Sequence, residues 1–216
     1  MILPLAFLFL EVGMPIDLHD GDLPEHLVWG DSVAIDTETM GLNPHRDRLC
    51  LVQLSAGDGA GHIVQIKLGH AHAPNLCRLL TDRNVTKIFH FARFDLAILY
   101  KTFGVTCGPV YCTKVASRLV RTYTDRHGLK ELCKELLGVD LSKQQQSSDW
   151  GAAELTPEQL KYAASDVLHL HELRKRLDVM LEREGRQDLA KACFDFLPAR
   201  AVLDLCGWVT PDILDH

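Results

Sequence analysis

No apolar run in this sequence reaches the roughly 18 to 20 residues that a membrane-spanning helix requires. The opening stretch "MILPLAFLFL", residues 1–10, is too short, and no Lys or Arg precedes Arg46 to supply the positive leader of an export signal. We interpret residues 1–13 as an apolar N-terminal extension, either a misplaced start before Met14 or a peripheral strand. We therefore expect a cytoplasmic protein without a membrane partner.

Cys-x-x-Cys pairs are also missing from the chain. The seven cysteines are Cys50, Cys77, Cys107, Cys112, Cys133, Cys193 and Cys206. An odd, scattered set in a chain of this size is typical of reduced thiols in a cytosolic protein. The pattern argues against a disulfide framework and against a structural zinc site.

A net positive charge, the usual mark of a nucleic-acid partner, is lacking as well, since the formal net charge is −6. The charge is unevenly distributed, however. Between Arg78 and Lys143 there are twelve basic and six acidic residues, so this stretch carries +6 and the remainder −12. Such asymmetry can create a local basic surface on an acidic protein, although solvated helix faces explain the same count equally well.

The hydrophobic pattern predicts one mixed α/β domain without internal repeats. Residues 33–37, 48–55 and 61–66 have the composition of strands joined by turn-rich segments, which favours an antiparallel meander. Further on, the pattern predicts a helix at 73–82, a strand at 85–91, a helix at 92–103 closed by Gly104, a strand leading into a helix within 108–120, a helix at 128–138, one helix from Thr156 towards Glu184, and a last helix within 186–208. Strands alternating with helices predict a mixed sheet covered by helices.

Paired carboxylates lie at the end of the first of these strands, in "VAIDTETMGL". Asp36 and Glu38 are two residues apart, so both side chains project from the same face of the strand. Two close anions repel each other, and a hard divalent cation such as Mg²⁺ or Mn²⁺ relieves that repulsion. An isolated Asp-x-Glu is more often a strand end that reaches solvent, so this pair alone does not establish a metal site.

Two further acidic positions follow. Asp95, in "HFARFDL", lies in the first turn of a predicted helix directly after a strand, where the helix dipole favours an anion. Tyr162 and Asp166, in "YAASDVLHL", are one turn apart on the face of a later helix. Each feature alone is common packing; their conjunction and order are informative.

In that order, "IDTETMGL", "HFARFDL" and "YAASDVLHL" resemble the three motifs of the DEDD superfamily of 3′–5′ exonucleases, and most closely ribonuclease D. The strand "LVQLS" and the segment "SSDW" add to the resemblance, which covers roughly residues 14 to 180. Tyr162 fills the tyrosine position that distinguishes one branch of the superfamily, whereas Lys161 stands where the sister branch carries histidine.

The resemblance implies a ribonuclease H-like fold and a site for two divalent cations, Mg²⁺ or Mn²⁺, held by Asp36, Glu38, Asp95 and Asp166, with Tyr162 orienting the attacking water. It implies release of nucleoside 5′-monophosphates from single-stranded RNA 3′ ends, as in processing of tRNA or small-RNA precursors. It also implies an exonuclease domain over residues 14–184. Ribonuclease D proteins carry one or two helical nucleic-acid-binding domains after this one, and residues 185–216 are too few for such a domain, so we expect them to form a helix and tail of the exonuclease domain.

The resemblance further assigns substrate-binding roles. Thr39 and Met40 would hold the terminal ribose through backbone groups, and Leu42 would separate the last two bases. His90 is a candidate phosphate contact, although a buried strand-end histidine is an equally good interpretation. Candidate contacts for the incoming strand are Arg93, Arg118, Arg121, Arg126 and Lys130.

One position departs from the family pattern. Many relatives carry Asn after the histidine of the second motif, and here that residue is Phe91, so any polar role is lost.

Other functions stay open at this point. A DNA-directed 3′–5′ exonuclease and an inactive nucleic-acid-binding module are the alternatives. A phosphatase with an aspartate nucleophile in "DTET" would require a second Asp in place of Glu38 and would leave the Tyr162–Asp166 helix unexplained. The sequence leaves the oligomeric state, the preferred metal and the physiological RNA open.

Overall fold

A computed structural model describes residues 15–69, 71–142, 145 and 147–215. The interpretation of residues 1–13 concerns positions outside these described residues. The strands are β1 (Ile16–Asp20), β2 (Ser32–Thr39), β3 (Leu49–Ser55), β4 (Gly61–Gln65), β5 (Thr86–Phe89) and β6 (Val110–Cys112). The helices are α1 (Pro74–Thr81), α2 (Ala92–Phe103), α3 (Thr113–Val120), α4 (Leu129–Leu132) continued by a π-helical turn (Cys133–Leu137), α5 (Pro157–Leu168), α6 (Leu170–Arg183) and α7 (Gln187–Leu205).

The six strands form one mixed sheet in the order β1-β4-β3-β2-β5-β6. Strands β2, β3 and β4 are antiparallel neighbours, whereas β5 and β6 continue the sheet in parallel with β2. The predicted meander and the mixed α/β class are therefore confirmed, and the fold is ribonuclease H-like. Every residue of β3 is buried, as expected for a central strand covered on both faces.

Two elements differ from the sequence prediction. Strand β1, parallel to β4 at the sheet edge, was not predicted, because the segment "IDLHD" is short, mostly exposed and contains only two apolar residues. The single helix predicted from Thr156 towards Glu184 is wrong, since it is divided at His169 into α5 and α6. His169 keeps φ and ψ near helical values, so no Gly or Pro marks the break in the sequence.

Helix α5 carries Tyr162 and Asp166, two of the predicted site residues. Thr156 caps it, accepting a hydrogen bond from the Gln159 backbone N–H while the Gln159 side chain accepts one from the Thr156 N–H. The helix packs over β2, β3 and β4. It approaches closely at Gly61, where an added Cβ would lie 2.9 Å from the Cβ of Ala164. Residues as small as these let the helix, and the side chains it carries, sit low on the sheet.

Helix α7 closes the opposite side of the domain, where it packs against α2, α3 and β6. Its Asp204 is buried and accepts hydrogen bonds from Arg93 of α2 and from Arg200, one turn earlier on α7. The Phe194 ring lies 4.6 Å from that of Tyr111 of β6, measured between centroids. Among the described residues, no helix is both long enough and apolar enough to cross a membrane.

Candidate active site

Three of the predicted acids converge between the sheet and α5. One carboxylate oxygen from each of Asp36, Glu38 and Asp166 lies within 4.8 Å of the others. Asp36 and Glu38 share one face of β2 because side chains alternate along a strand, and α5 brings Asp166 over that same face. All three side chains are half-buried, so they repel one another in a partly desolvated environment.

The pKa values report this crowding. Burial, followed by repulsion from Asp36, Asp166 and Asp95, raises the pKa of Glu38 to about 9. Burial raises the pKa of Asp36 to about 7, and burial together with Asp36 raises the pKa of Asp166. Without a bound cation, these acids would therefore retain protons that ordinary carboxyl groups lose at neutral pH.

The fourth acid, Asp95, is held differently. Its Oδ1 accepts a hydrogen bond of 2.7 Å from the Thr37 hydroxyl, and both side chains are buried. Thr37 lies between Asp36 and Glu38 in β2, so its side chain points to the opposite face of the sheet. Burial and repulsion from Asp36 raise the pKa of Asp95, which shows that it shares the electrostatic environment of the cluster although its oxygen atoms are not among the three that converge.

The donor set suits a hard divalent cation. Three carboxylates that raise one another's pKa values are relieved by an ion that prefers oxygen ligands, such as Mg²⁺ or Mn²⁺. Gln53, directly opposite Asp36 on β3, is fully buried, and neither amide atom hydrogen-bonds within the described part of the chain. A buried amide without hydrogen-bond partners, next to the three acids, indicates a site that binds further polar groups.

A cavity of about 310 Å³ opens onto the cluster. Its walls include Asp36 and Asp166, as well as Tyr162, whose ring packs 5.9 Å from the buried Trp150 of the "SSDW" segment. Burial and the neighbouring acids, Asp166 first, raise the pKa of Tyr162, so its phenol stays protonated and its hydroxyl can donate a hydrogen bond.

His90 also lines this cavity, but it carries no charge near neutral pH. Its Nδ1 lies 2.9 Å from Thr113 Oγ1, and burial, with Lys114 nearby, lowers the pKa of His90 to about 3. A contact between His90 and a phosphate would therefore depend on hydrogen bonding alone.

The segment after β2 presents the other predicted substrate contacts. Leu42 is 88% exposed and Met40 is 53% exposed. The turn is held by Asp47, which accepts a hydrogen bond from the Asn43 backbone N–H, and an added Cβ on Gly41 would lie 2.4 Å from Asp47 Oδ2. The backbone amide of Met40 donates to Arg48 O and the hydroxyl of Thr39 donates to Gly41 O, so neither hydrogen is available to a substrate.

Two of the five arginines and lysines predicted to contact an incoming strand form ion pairs with carboxylates of the same chain. Arg93 pairs with Asp204 at 2.5 Å, and Arg121 is fully buried, where it contacts Glu135 and Ser117. Because Arg121 is fully buried, its predicted contact with an incoming strand is wrong. The Arg93 side chain is 35% exposed, so its contact stays a prediction. Lys130 lines the cavity, as does Lys114, which the motif comparison did not identify.

This fold and this acidic cluster are those of the ribonuclease H-like class of exonuclease domains. A family model described as "3'-5' exonuclease" matches residues 22–182. The chain belongs to the 3′–5′ exonuclease family. The predicted resemblance to ribonuclease D is confirmed at this level.

The chain is similar to ribonuclease D proteins and to solved structures of NrnC, among others. A ribonuclease D of Gluconacetobacter diazotrophicus is 39% identical over 156 residues, which is 72% of this chain but 39% of that protein, so the chain spans about two fifths of this relative. A solved structure of Brucella melitensis NrnC bound to pGG is 60% identical, with a TM-score of 0.91 over 94% of this chain and 100% of the other. A structure of Brucella melitensis NrnC with bound Mg²⁺ is 59% identical over the same shares of the two chains, with a TM-score of 0.90.

Proposed function

We propose that this chain is a metal-dependent 3′–5′ exonuclease that hydrolyses short single-stranded RNA, down to dinucleotides, and releases nucleoside 5′-monophosphates. The observation that carries the proposal is the convergence of Asp36, Glu38 and Asp166 within 4.8 Å of one another, beside a cavity that Asp36 and Asp166 line. Support for a short substrate comes from the NrnC structure with pGG, which matches 94% of this chain. The cavity, about 310 Å³, is at the small end of the range for ligand pockets.

The four acids divide into two roles in this proposal. Asp36, Glu38 and Asp166 hold divalent cations directly, and Asp95, oriented by Thr37, completes the set from the other side of β2. Two Mg²⁺ or Mn²⁺ ions would balance four carboxylates in charge. When bound, such ions neutralise the acids, polarise the scissile phosphodiester and favour ionisation of water.

Tyr162 positions the nucleophile. Its protonated hydroxyl stands at the cavity wall beside Asp166, where it hydrogen-bonds the attacking water and aligns it with phosphorus. The water oxygen forms a new bond to phosphorus, the bond from phosphorus to the 3′ oxygen breaks, and that oxygen takes up a proton. The products are a nucleoside 5′-monophosphate and an RNA shortened by one residue, with a free 3′ hydroxyl. On the basis of this role, membership of the tyrosine branch of the superfamily stays part of the proposal.

The turn after β2 receives the terminal nucleotide. The exposed Leu42 side chain inserts between the last two bases, and Met40 lines the same turn. Thr39 contributes its hydroxyl oxygen as an acceptor and its backbone carbonyl, since its hydroxyl hydrogen is already donated to Gly41. Apolar contacts of this kind bind an unpaired 3′ end with little sequence preference. Processing of tRNA or small-RNA precursors stays a prediction.

The test uses RNA and DNA of matched sequence, each as a dinucleotide and as a longer single strand, all labelled at the 5′ end. We expect Mg²⁺-dependent release of mononucleotides from the 3′ end, fastest for the RNA dinucleotide and abolished by EDTA. Faster hydrolysis of the DNA strands than of the matched RNA strands would identify DNA as the substrate. Binding without hydrolysis by the wild-type protein in Mg²⁺ or Mn²⁺ would identify an inactive binding module and reject the proposal.

A further inference from the structure

Phe91, which lines the cavity, departs from three local preferences of protein structure. Phe91 has φ of 72° and ψ of 43°, the left-handed conformation, and it is the only non-glycine residue with positive φ among those described. A bulky side chain rarely adopts this conformation, because its Cβ crowds the backbone. Such strain persists where the surrounding structure enforces it, and it is concentrated at ligand-binding positions.

The same residue is the N-cap of α2, where its side chain makes no capping hydrogen bond. Ser, Thr, Asp and Asn are preferred at an N-cap because their oxygens accept a hydrogen bond from a free backbone N–H. Its ring is also 46% exposed to solvent. Asn would satisfy all three conditions, since it tolerates the left-handed region, caps helices and is polar. The folding of this segment therefore does not explain why position 91 is a phenylalanine.

The location of the ring indicates a ligand. Phe91 lines the same cavity as Asp36, Tyr162 and Asp166, whereas Thr39, Met40 and Leu42 do not. Lys114 Nζ lies 4.1 Å from the ring centroid, so it covers one face and fixes the ring orientation. An exposed aromatic ring beside a phosphodiester-cleaving site, with one face covered, offers its remaining surface to a flat partner.

We infer that Phe91 is the stacking platform for the nucleobase on the 5′ side of the scissile phosphodiester, an inference that rests on the proposed exonuclease function. The turn carrying Leu42 takes the terminal nucleotide, the acids take the scissile phosphate, and the cavity continues from the acids to Phe91. The next nucleotide occupies that continuation, with its base against the Phe91 ring. Stacking on an aromatic ring tolerates every base, so this platform binds the second nucleotide without reading its sequence.

The experiment measures the affinity of the full-length protein in Ca²⁺ for two uncleaved RNA ligands. The first is a 5′-phosphorylated dinucleotide, and the second is identical except that its 5′ residue lacks the base. For Phe91→Asn we expect the intact dinucleotide to bind about 5- to 150-fold more weakly, which corresponds to the loss of one base–aromatic stack. The abasic ligand should bind wild-type and variant proteins equally, because it has no base to stack.

Stability is measured on the same samples. Phe91→Asn relieves the left-handed strain and supplies an N-cap, so we expect a melting temperature higher by about 3 °C or more. Phe91→Trp should retain affinity for the intact dinucleotide. The matched control is Phe196→Ala on α7, since Phe196 is 39% exposed, similar to Phe91, but does not line the cavity. Its affinity for both ligands should equal that of the wild type.

The outcomes distinguish failure of the stacking role of Phe91 from failure of the proposed exonuclease function. Equal affinity of Phe91→Asn and the wild type for the intact dinucleotide overturns the stacking role. An equal loss for the intact and abasic ligands also overturns it, because the ring would then act only by placing Lys114 near a phosphate. If the wild-type protein cleaves no RNA in Mg²⁺, the proposed exonuclease function fails independently of either result.

Discussion

At the scale of single residues, the site is governed by repulsion among carboxylates that the fold keeps close together. Asp36, Glu38 and Asp166 have raised pKa values because burial and mutual repulsion disfavour their charged forms. The motif comparison identified these acids from the sequence, since each lies in a short pattern with fixed spacing. The pairing of Thr37 with Asp95 could not be predicted, because that hydrogen bond depends on where the start of α2 lies relative to β2 in the fold.

The first prediction concerns the stability of the metal-free protein as a function of pH. A folded-state pKa of Glu38 raised from 4.5 to about 9 means that the folded protein keeps a proton that the unfolded chain releases. The stabilisation is complete below the unfolded pKa and is lost as pH rises towards 9. In EDTA, the contribution of the cluster to the free energy of unfolding therefore falls between about pH 4 and pH 9. Mg²⁺ should raise the melting temperature more at about pH 8.5 than at about pH 6, because the ion competes with protons.

Asp36→Asn provides the internal comparison. This change removes one anion, so in EDTA at pH 8.5 we expect the variant to be more stable than the wild type, by about 1 kcal/mol, and to gain little from Mg²⁺. Glu182→Gln, at an exposed position of α6, should behave as the wild type. A Mg²⁺-induced shift in melting temperature that is the same at both pH values would show that the acids do not act as a coupled metal site.

Tyr162→Phe tests the positioning role of the phenol. We expect kcat to fall by about 10²-fold with KM nearly unchanged, because the water loses its orientation while the substrate contacts remain. Since the phenol is already protonated at neutral pH, the pH profile of the residual activity should keep the wild-type shape. Tyr100→Phe, on α2 away from the cavity, is the matched control. An unaltered kcat in Tyr162→Phe would remove this residue from the catalytic set.

At the scale of secondary structure elements, the function depends on how closely α5 approaches the sheet. The helix carries both Tyr162 and Asp166, and its distance from the sheet is set by Ala164 against Gly61. Nothing in the sequence signals this contact, because the two residues are far apart along the chain and both are common. By contrast, the start of α5 could be predicted from the Thr156 cap and Pro157, and most element boundaries follow from apolar periodicity and turn residues.

Gly61→Ala tests that contact. The added methyl would lie 2.9 Å from the Cβ of Ala164, so α5 must move away from β4 and carry Asp166 with it. We expect destabilisation of about 1–3 kcal/mol, as is usual for overpacking, together with weaker Mg²⁺ binding by calorimetry. Combining it with Ala164→Gly removes the clash, so Mg²⁺ affinity should recover even though glycine in the helix costs about 1 kcal/mol. Failure of the double variant to recover Mg²⁺ affinity would show that α5 position does not control the site.

At the scale of the whole molecule, we propose that the exonuclease core and the last helix form one domain. Asp204 of α7 is buried between Arg93 of α2 and Arg200, and the side chains of Asp204 and Arg200 are 8% and 7% exposed. A buried carboxylate shared by two guanidinium groups is a junction that cannot be opened without leaving charges unpaired. The pairing of Arg93 with Asp204 could not be predicted, because the sequence around Arg93 does not show where α7 packs.

Asp204→Ala should therefore destabilise the whole protein by about 3 kcal/mol, the low end for breaking a buried ion pair, because the buried Arg200 and the partly exposed Arg93 lose a shared partner while Arg200 keeps Asp212. Unfolding by urea, followed through Trp150 fluorescence and far-UV circular dichroism, measures this change. Asp195→Ala on the same helix is the control, since it breaks the exposed pair with Lys191 and should cost at most about 1 kcal/mol. Two separate transitions in the wild-type protein would contradict a single domain.

The central claim is that half-buried carboxylates from β2 and α5 form one site for divalent cations, and anomalous scattering from crystals grown with Mn²⁺ tests it most directly. We predict a peak bounded by the carboxylates of Asp36, Glu38 and Asp166, and loss of that peak in Asp36→Asn. A Mn²⁺ concentration that supports RNA hydrolysis yet gives no peak among these three side chains would contradict the account.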